Sequence, residues 1–232
     1  FGKKIAQLRY GENPHQEGAI YSMDTNLNIS QILGKKLSYN NYNDLLSALT
    51  ISKSLPKNTG TVIIKHKNPC GVSIDRNKIK SYKLALKCDP ISAFGGVVSC
   101  NFKITKALAL EINKIFFEVI IGNGIEKEAI NIFKKKKNLR IIDASKLALK
   151  NNQTMISNLN SILIQSPDLK TFLKKDFKVV SKIKPSKKMI NNLIFAFNIC
   201  RHVKSNAIVL TNNKSTVGIG SGQASRIDSC RI

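Results

Sequence analysis

The apolar positions of this chain fall into short blocks whose spacing switches between helical and extended periods. Within 43-NDLLSALTISKSLP-56, Leu45, Leu46, Leu49 and Ile51 supply an apolar side at helical spacing, Asn43 or Asp44 can cap the start, and Pro56 ends the run. Val62, Ile63 and Ile64 are too few for a helix and apolar on both faces, which predicts a short central strand. The pattern then predicts helices over 78–88, 104–115 and 126–135, alternating with strands at 96–100, 118–122 and 139–142. After residue 151 it loosens, leaving strands at 162–165 and 177–181 and a connector at 182–188. A buried helix follows over 189–203, carrying Ile190, Leu193, Ile194, Phe197, Ile199 and Cys200. Segments 207–211 and 216–220, with Asn212 and Asn213 between them, read as a hairpin.

Strand and helix in alternation imply an α/β protein in which helices are layered on a mixed or mainly parallel sheet. The length of 232 residues allows two lobes, 1–150 and 151–232, with the boundary somewhere between 144 and 160 and no close internal repeat. The first twenty residues show little helical periodicity, and 10-YGENPHQEG-18 is dense in turn formers. That segment is expected to be ordered by contacts rather than by its own secondary structure.

Composition narrows the function classes. The formal charge of +24 invites a nucleic-acid reading, but the 38 basic residues are 32 Lys and only 6 Arg. Forked recognition of bases and phosphates favours Arg, whereas a drift toward Lys, Asn and Ile scatters ammonium groups over solvated surface. The run 134-KKKK-137 reads as a solvated helix end. No uninterrupted apolar run reaches the roughly 18 residues of a membrane span, and the N-terminal stretch has no signal-peptide core, so a cytoplasmic location is expected. Five scattered cysteines without a CxxC pair argue against a disulfide framework or a thiolate zinc site. His15, His66 and His202 lack paired ligand spacing, and no HExxH, EF-hand, Walker or GxGxxG pattern occurs, so no metal is expected.

Four polar segments fall where such a scaffold holds ligands. In 61-TVIIKHKNPCGV-72, Lys65 and His66 follow the strand, and Asn68, Pro69 and Gly71 are expected to turn the chain there. A histidine can pass a proton and a lysine can hold developing negative charge, although an ordinary polar strand exit fits equally. Successive strand residues point to opposite faces, so the two cooperate only if the backbone turns between strand and loop. A Cys70–His66 pair would need a close approach that spacing does not supply. In 89-DPISAFGGVV-98, Gly95 and Gly96 can admit a ligand to the backbone while Phe94 covers a flat ring, or Phe94 can lie in the core. Segment 217-VGIGSGQASR-226 joins glycines to Gln223, Ser225 and Arg226, either an anion cradle or a glycine-rich hairpin. Segment 8-LRYGENPHQ-16 offers Arg9, Tyr10, Asn13, His15 and Gln16 for a ligand or an interface.

Taken in order, LRYGENPHQ, GKKLSYNNYND, KHKNPCG, DPISAFGG, FFEVIIG, KKNLR, VKSNAIV and GIGSGQASRIDS closely resemble the transformylase portion of a bifunctional family. That family combines AICAR transformylase with IMP cyclohydrolase. The resemblance runs from Leu8 to Ser229 and is least informative over 144–188. It implies a two-lobed, cytidine-deaminase-like transformylase fold and transfer of a formyl group from 10-formyltetrahydrofolate to AICAR, giving FAICAR and tetrahydrofolate. It makes His66 the acceptor of the amine proton, Lys65 its electrostatic partner, and Asn206 the residue that orients the carboxamide and the transferring group.

The resemblance further implies that Arg9 and Tyr10 contact the nucleotide, Arg9 at its phosphate, with Arg226 as a second anion contact and Gln223 beside it. Phe94 and Gly95 become a wall of the ring pocket, and Glu118 an acceptor for the donor-rich pterin edge of the folate. A homodimer with sites built across the interface is implied, with neither nucleic acid nor membrane as partner. The family's preceding cyclohydrolase domain is expected to be absent, and so is its segment beyond Ile232. A catalytically silent nucleotide-binding fragment and a basic nucleic-acid binder stay open as alternative readings.

Overall fold

The computed structural model describes residues 2–22, 29–147, 154–168 and 170–232. In its first part β1 (Lys3–Gln7) pairs antiparallel with β2 (Ala19–Ser22), and β3 (Ser30–Leu33) leads into α1 (Tyr39–Ser54). Then come β4 (Gly60–Lys65), β5 (Asn68–Ile74), α2 (Lys78–Cys88), the single-turn α3 (Pro90–Ala93) and β6 (Val97–Cys100). The alternation continues through α4 (Lys106–Ile112), β7 (Val119–Gly122), α5 (Lys127–Phe133) and β8 (Arg140–Asp143). The remainder is a hairpin of β9 (Thr154–Asn158) and β10 (Ser161–Gln165), helix α6 (Lys187–Cys200), strands β11 (Ile208–Asn212) and β12 (Ser215–Gly220), and α7 (Arg226–Arg231).

Eight strands form one sheet in the order β11-β12-β5-β4-β6-β7-β8-β3. Only β6–β7 and β7–β8 are parallel, so the sheet is mixed rather than mainly parallel. The apolar run of β4 is buried on both faces, as a central strand requires. Ile63 joins Tyr82 and Ala85 of α2, Leu108 and Ile112 of α4, and Phe133 of α5, while Val62 and Ile64 join Leu45, Leu49 and Ile51 of α1 and Ile199 of α6. Helices therefore cover both faces of the sheet, and β11 and β12 extend the sheet started by the first half of the chain. No helix among the described residues is long and apolar enough to cross a membrane.

Several element boundaries depart from the sequence pattern, each for a local reason. Helix α1 begins one turn earlier than expected because Ser38 caps it through a reciprocal box with Asn41, which places Asn43 and Asp44 inside the helix. Residues 68–74 form a strand where Asn68, Pro69 and Gly71 suggested a turn. Proline is tolerated there because the β4–β5 register slips between Ile63 and Ile64, setting Pro69 opposite the irregularity. Residues 177–181 are not a strand: they pair with no strand among the described residues, and Phe177 instead packs edge-on against Phe197 of α6. The hairpin turn between β11 and β12 sits one residue later than read, with Asn213 and Lys214 both at positive φ. The N-terminal stretch does carry secondary structure, the β1–β2 hairpin, although the loop inside it is held by contacts as expected. The lysine run divides: Lys134, Lys135 and Lys137 are exposed, while the Lys136 ammonium caps the carbonyls of Asn113 and Ile115 at 2.7 and 2.9 Å.

Candidate active site

The central strand β4 stays buried up to Ile64, and the chain reverses through His66 and Lys67 before β5 leaves antiparallel. Both turn residues lie in the left-handed region, with φ of 51° and 67°. That conformation costs side-chain-bearing residues roughly 1–2 kcal/mol each, so the turn must be held from outside. Asp44 of α1 accepts the Lys67 N–H at 2.7 Å, and the Asn68 amide donates to the His66 carbonyl at 3.2 Å. The Asn68 side-chain oxygen in turn accepts the Lys204 N–H at 3.3 Å, tying the turn to the loop after α6. The backbone turn that cooperation of Lys65 and His66 requires is thus present.

Lys65 points toward the segment between α3 and β6, where its ammonium donates to the Phe94 carbonyl at 2.7 Å. Phe94 is 61% exposed, so it is no core residue, and its ring lies 5.7 Å from that of Phe116. Gly95 has φ +70°, and a Cβ there would sit 3.2 Å from the Lys65 ammonium. A larger residue would strain the backbone and push the charged group aside. Gly96 serves packing instead, since its Cβ would come within 2.6 Å of the Ile64 carbonyl.

Glu118, just before β7, is fixed on two sides. Its N–H donates to the Gly96 carbonyl at 2.9 Å, and its carboxylate accepts the Asn41 side-chain amide at 2.7 Å. Lys65, Gly95 and Glu118 therefore meet at one edge of the sheet, the outgoing end of β4 and the incoming ends of β6 and β7. This place is the carboxyl end of β4 but the amino ends of the parallel pair β6 and β7, because β4 runs antiparallel to β6.

A cavity of about 520 Å³ opens beside His66, lined also by Glu12, Asn40, Asn43, Asp44, Lys67, Asn68, Arg201, His202, Val203 and Lys204. Burial pushes the His202 imidazole down to about 4, which keeps it neutral at physiological pH. Asn206 lies just past this wall. Its side chain donates to the Ala224 carbonyl at 2.8 Å and its N–H to the Gln223 carbonyl at 3.1 Å, so Asn206 and the Gly-Gln-Ala segment form one unit. The Gln223 side chain turns back onto the Ser221 carbonyl at 3.2 Å. Arg226 is exposed in the first turn of α7, which Ser225 caps.

Arg9 and Tyr10 follow β1, with the Arg9 guanidinium 4.9 Å from the Tyr10 ring centroid. Glu12, rather than either of them, reaches the cavity, and the Asn40 amide anchors this segment by donating to the Glu12 carbonyl at 3.0 Å. Cys70 is 9% exposed and burial pushes its thiol up to about 12, which leaves it a structural residue. Among the described residues no group of three or more His, Cys, Asp or Glu side chains could hold a metal ion. Sequence reasoning missed Asn41, Asp44, Arg201, His202 and Lys204. Asp44 read as a helix-start residue, and nothing in linear spacing signals that a helix start will face a turn 23 positions away.

The family model described as the AICARFT/IMPCHase bienzyme matches residues 1–232. The chain belongs to this family. It is 44% identical over 237 residues to the bifunctional purine biosynthesis protein PurH of Rhodospirillum rubrum, covering 100% of this chain and 45% of that protein. The PurH of Prochlorococcus marinus is 43% identical over 242 residues, covering 98% and 47%, and that of Leptospira biflexa 41% identical over 234 residues, covering 100% and 45%. The chain thus spans about half the length of the curated relatives it matches. Family membership agrees with the resemblance read from the eight motifs.

Proposed function

We propose that this chain carries the formyl-transfer site of its family and moves a formyl group from 10-formyltetrahydrofolate to the exocyclic amine of AICAR, giving FAICAR and tetrahydrofolate. The observation that carries the reading is the meeting of Lys65, Gly95 and Glu118 at one sheet edge with His66 beside a cavity, from segments far apart in the chain. In the family the sheet belongs to the cytidine-deaminase-like type, and the mixed sheet with helices on both faces fits that description.

The amine of AICAR is a poor nucleophile because its lone pair is conjugated with the imidazole carboxamide. Its proton must leave as the new C–N bond forms: earlier loss is costly, and later loss leaves a cation that reverts. His66 accepts that proton. Lys65, anchored on the Phe94 carbonyl, places positive charge where the formyl oxygen becomes anionic and supplies a proton to the departing folate nitrogen. Asn206, fixed by the Ala224 and Gln223 carbonyls, orients the carboxamide. The folate supplies the formyl carbon; the exposed Phe94 ring offers a wall for a flat group, and Glu118 an acceptor for a donor-rich edge. Arg9, with Tyr10 beneath it, and Arg226 serve the nucleotide's anionic groups. Arg9 and Tyr10 lie outside the cavity lining, and a homodimer with sites built across the interface gives them a ligand to contact.

The test is incubation of the purified, folded protein with AICAR and 10-formyltetrahydrofolate, following FAICAR and tetrahydrofolate by mass. Both products are expected. Nucleotide binding without either product would favour the silent-fragment reading, and salt-sensitive RNA binding without AICAR binding would favour the nucleic-acid one. Arg9→Ala is expected to weaken AICAR affinity about tenfold or more while leaving kcat nearly unchanged, as loss of a phosphate contact should. Unchanged affinity in a binding titration would remove Arg9 from the phosphate.

A further inference from the structure

The turn that presents His66 has a partner outside its own segment. Helix α1 projects Asp44 into the same cavity that His66 lines, and its carboxylate accepts the Lys67 N–H at 2.7 Å. The carboxylate is half-buried, between the turn and Glu118. Burial raises its pKa above the ordinary carboxylate value; the Lys67 amide, the positive charge of protonated His66 and the His66 amide pull it back, and Glu118 raises it. A half-buried carboxylate bonded to the turn that carries His66 is placed to hold that turn and to favour positive charge on the imidazole.

We propose that Asp44 is a positioning residue for His66: its carboxylate locks the two-residue left-handed turn and stabilises the imidazolium formed when His66 takes the amine proton. This rests on the formyl-transfer reading above. The stabilisation is electrostatic and must compete with other charges around His66. Lys67 on its own turn, Arg201 and Lys204 after α6, and the preceding Lys65, whose ammonium is held on the Phe94 carbonyl, oppose an imidazolium. Glu12, from the N-terminal loop, lines the same cavity and favours it, Glu118 lies on the far side of Asp44, and His202 is held neutral. Asp44 is the carboxylate among these that is hydrogen-bonded to the turn carrying His66.

Asp44→Asn separates the two roles, because an amide oxygen can still accept the Lys67 N–H while the charge is gone. In the intact protein this variant should keep AICAR affinity within about threefold and lose about 10–100-fold in kcat. The acid limb of the kcat/KM profile should move to lower pH, since an imidazolium without its carboxylate loses its proton more readily. The His66 imidazole signal, followed by NMR in the resting protein, should titrate at a pH lower by about half a unit or more. Asp44→Ala, which loses the acceptor as well, should fall further, and Asp44→Glu should recover part of the rate.

If Asp44→Asn keeps the wild-type rate profile and the His66 titration is unmoved, the proposal is overturned while formyl transfer by the wild type stands. If the wild type produces no FAICAR, the functional reading fails instead. The NMR titration still decides whether Asp44 tunes His66, because it needs no turnover.

Discussion

Replacing His66 with alanine is expected to lower formyl transfer by about 10²- to 10⁴-fold while changing AICAR affinity little, the signature of a lost general base rather than a lost binding contact. The geometry supports a specific loss. His66 is exposed, lines the cavity beside the end of β4, and its side chain is not part of either core cluster. The left-handed turn is fixed by the Asp44 acceptor and the Asn68 amide, both of which bond backbone atoms that alanine retains. Removing the imidazole therefore leaves the scaffold in place, and a coincident drop in thermal midpoint should be small. Steady-state kinetics set beside a direct AICAR titration check this. A variant with wild-type kcat would remove His66 from proton transfer and force the base to be sought elsewhere on the same wall.

Part of this site's placement is legible in the sequence. The strands β4, β6, β7 and β8 and helix α2 follow from apolar runs and helical spacing, because each is decided by which face it buries. The location of Lys65 and His66 at the end of β4 followed from the same pattern. Their geometry did not. The reversal takes place at His66–Lys67, side-chain-bearing residues that seldom adopt positive φ, and the turn formers Asn68, Pro69 and Gly71 are absorbed into a strand. Tertiary contacts overrode local preference: Asp44 is 23 positions from the amide it accepts, and Asn68 is 136 positions from Lys204. Asn41 and Glu118 meet across 77 positions. Contacts of that range leave no periodic trace, so a single sequence can mark the motif but not the residues that hold its shape. Residues 177–181 show the converse: Val179 and Val180 suit a strand, yet both are exposed and pair with no strand among the described residues.

Gly71→Ala should be the most damaging small substitution in the KHKNPCG motif, destabilising the fold by about 3 kcal/mol through overpacking. Against a total stability of roughly 5–15 kcal/mol, that is a large share. Gly71 sits inside β5, where an added Cβ would lie 1.9 Å from the Ala85 carbonyl oxygen and 2.8 Å from its carbon. Both are backbone atoms of α2, so no rotamer change relieves the contact and the helix itself must move. It is not free to do so. Asn77 caps it, Tyr82 and Ala85 are anchored in the core, and Ser81 shares a buried hydroxyl network with Thr61 and Ser73. Gly218→Ala supplies the comparison, because its nearest neighbours are Leu210 side-chain atoms at 3.7 and 3.9 Å, ordinary contact distances. Urea midpoints should fall sharply for the first and hardly move for the second. Near-equal midpoints would mean that α2 yields easily and that close helix–strand contact is not why glycine stands here. If the difference holds, the motif divides by chemistry. Lys65 and His66 face the site, while Gly71 lets α2 press on the strand whose first residue, Asn68, ties the His66–Lys67 turn to Lys204. Loss of activity in Gly71→Ala should then follow the unfolded fraction, with the remaining folded molecules keeping the wild-type dependence on pH.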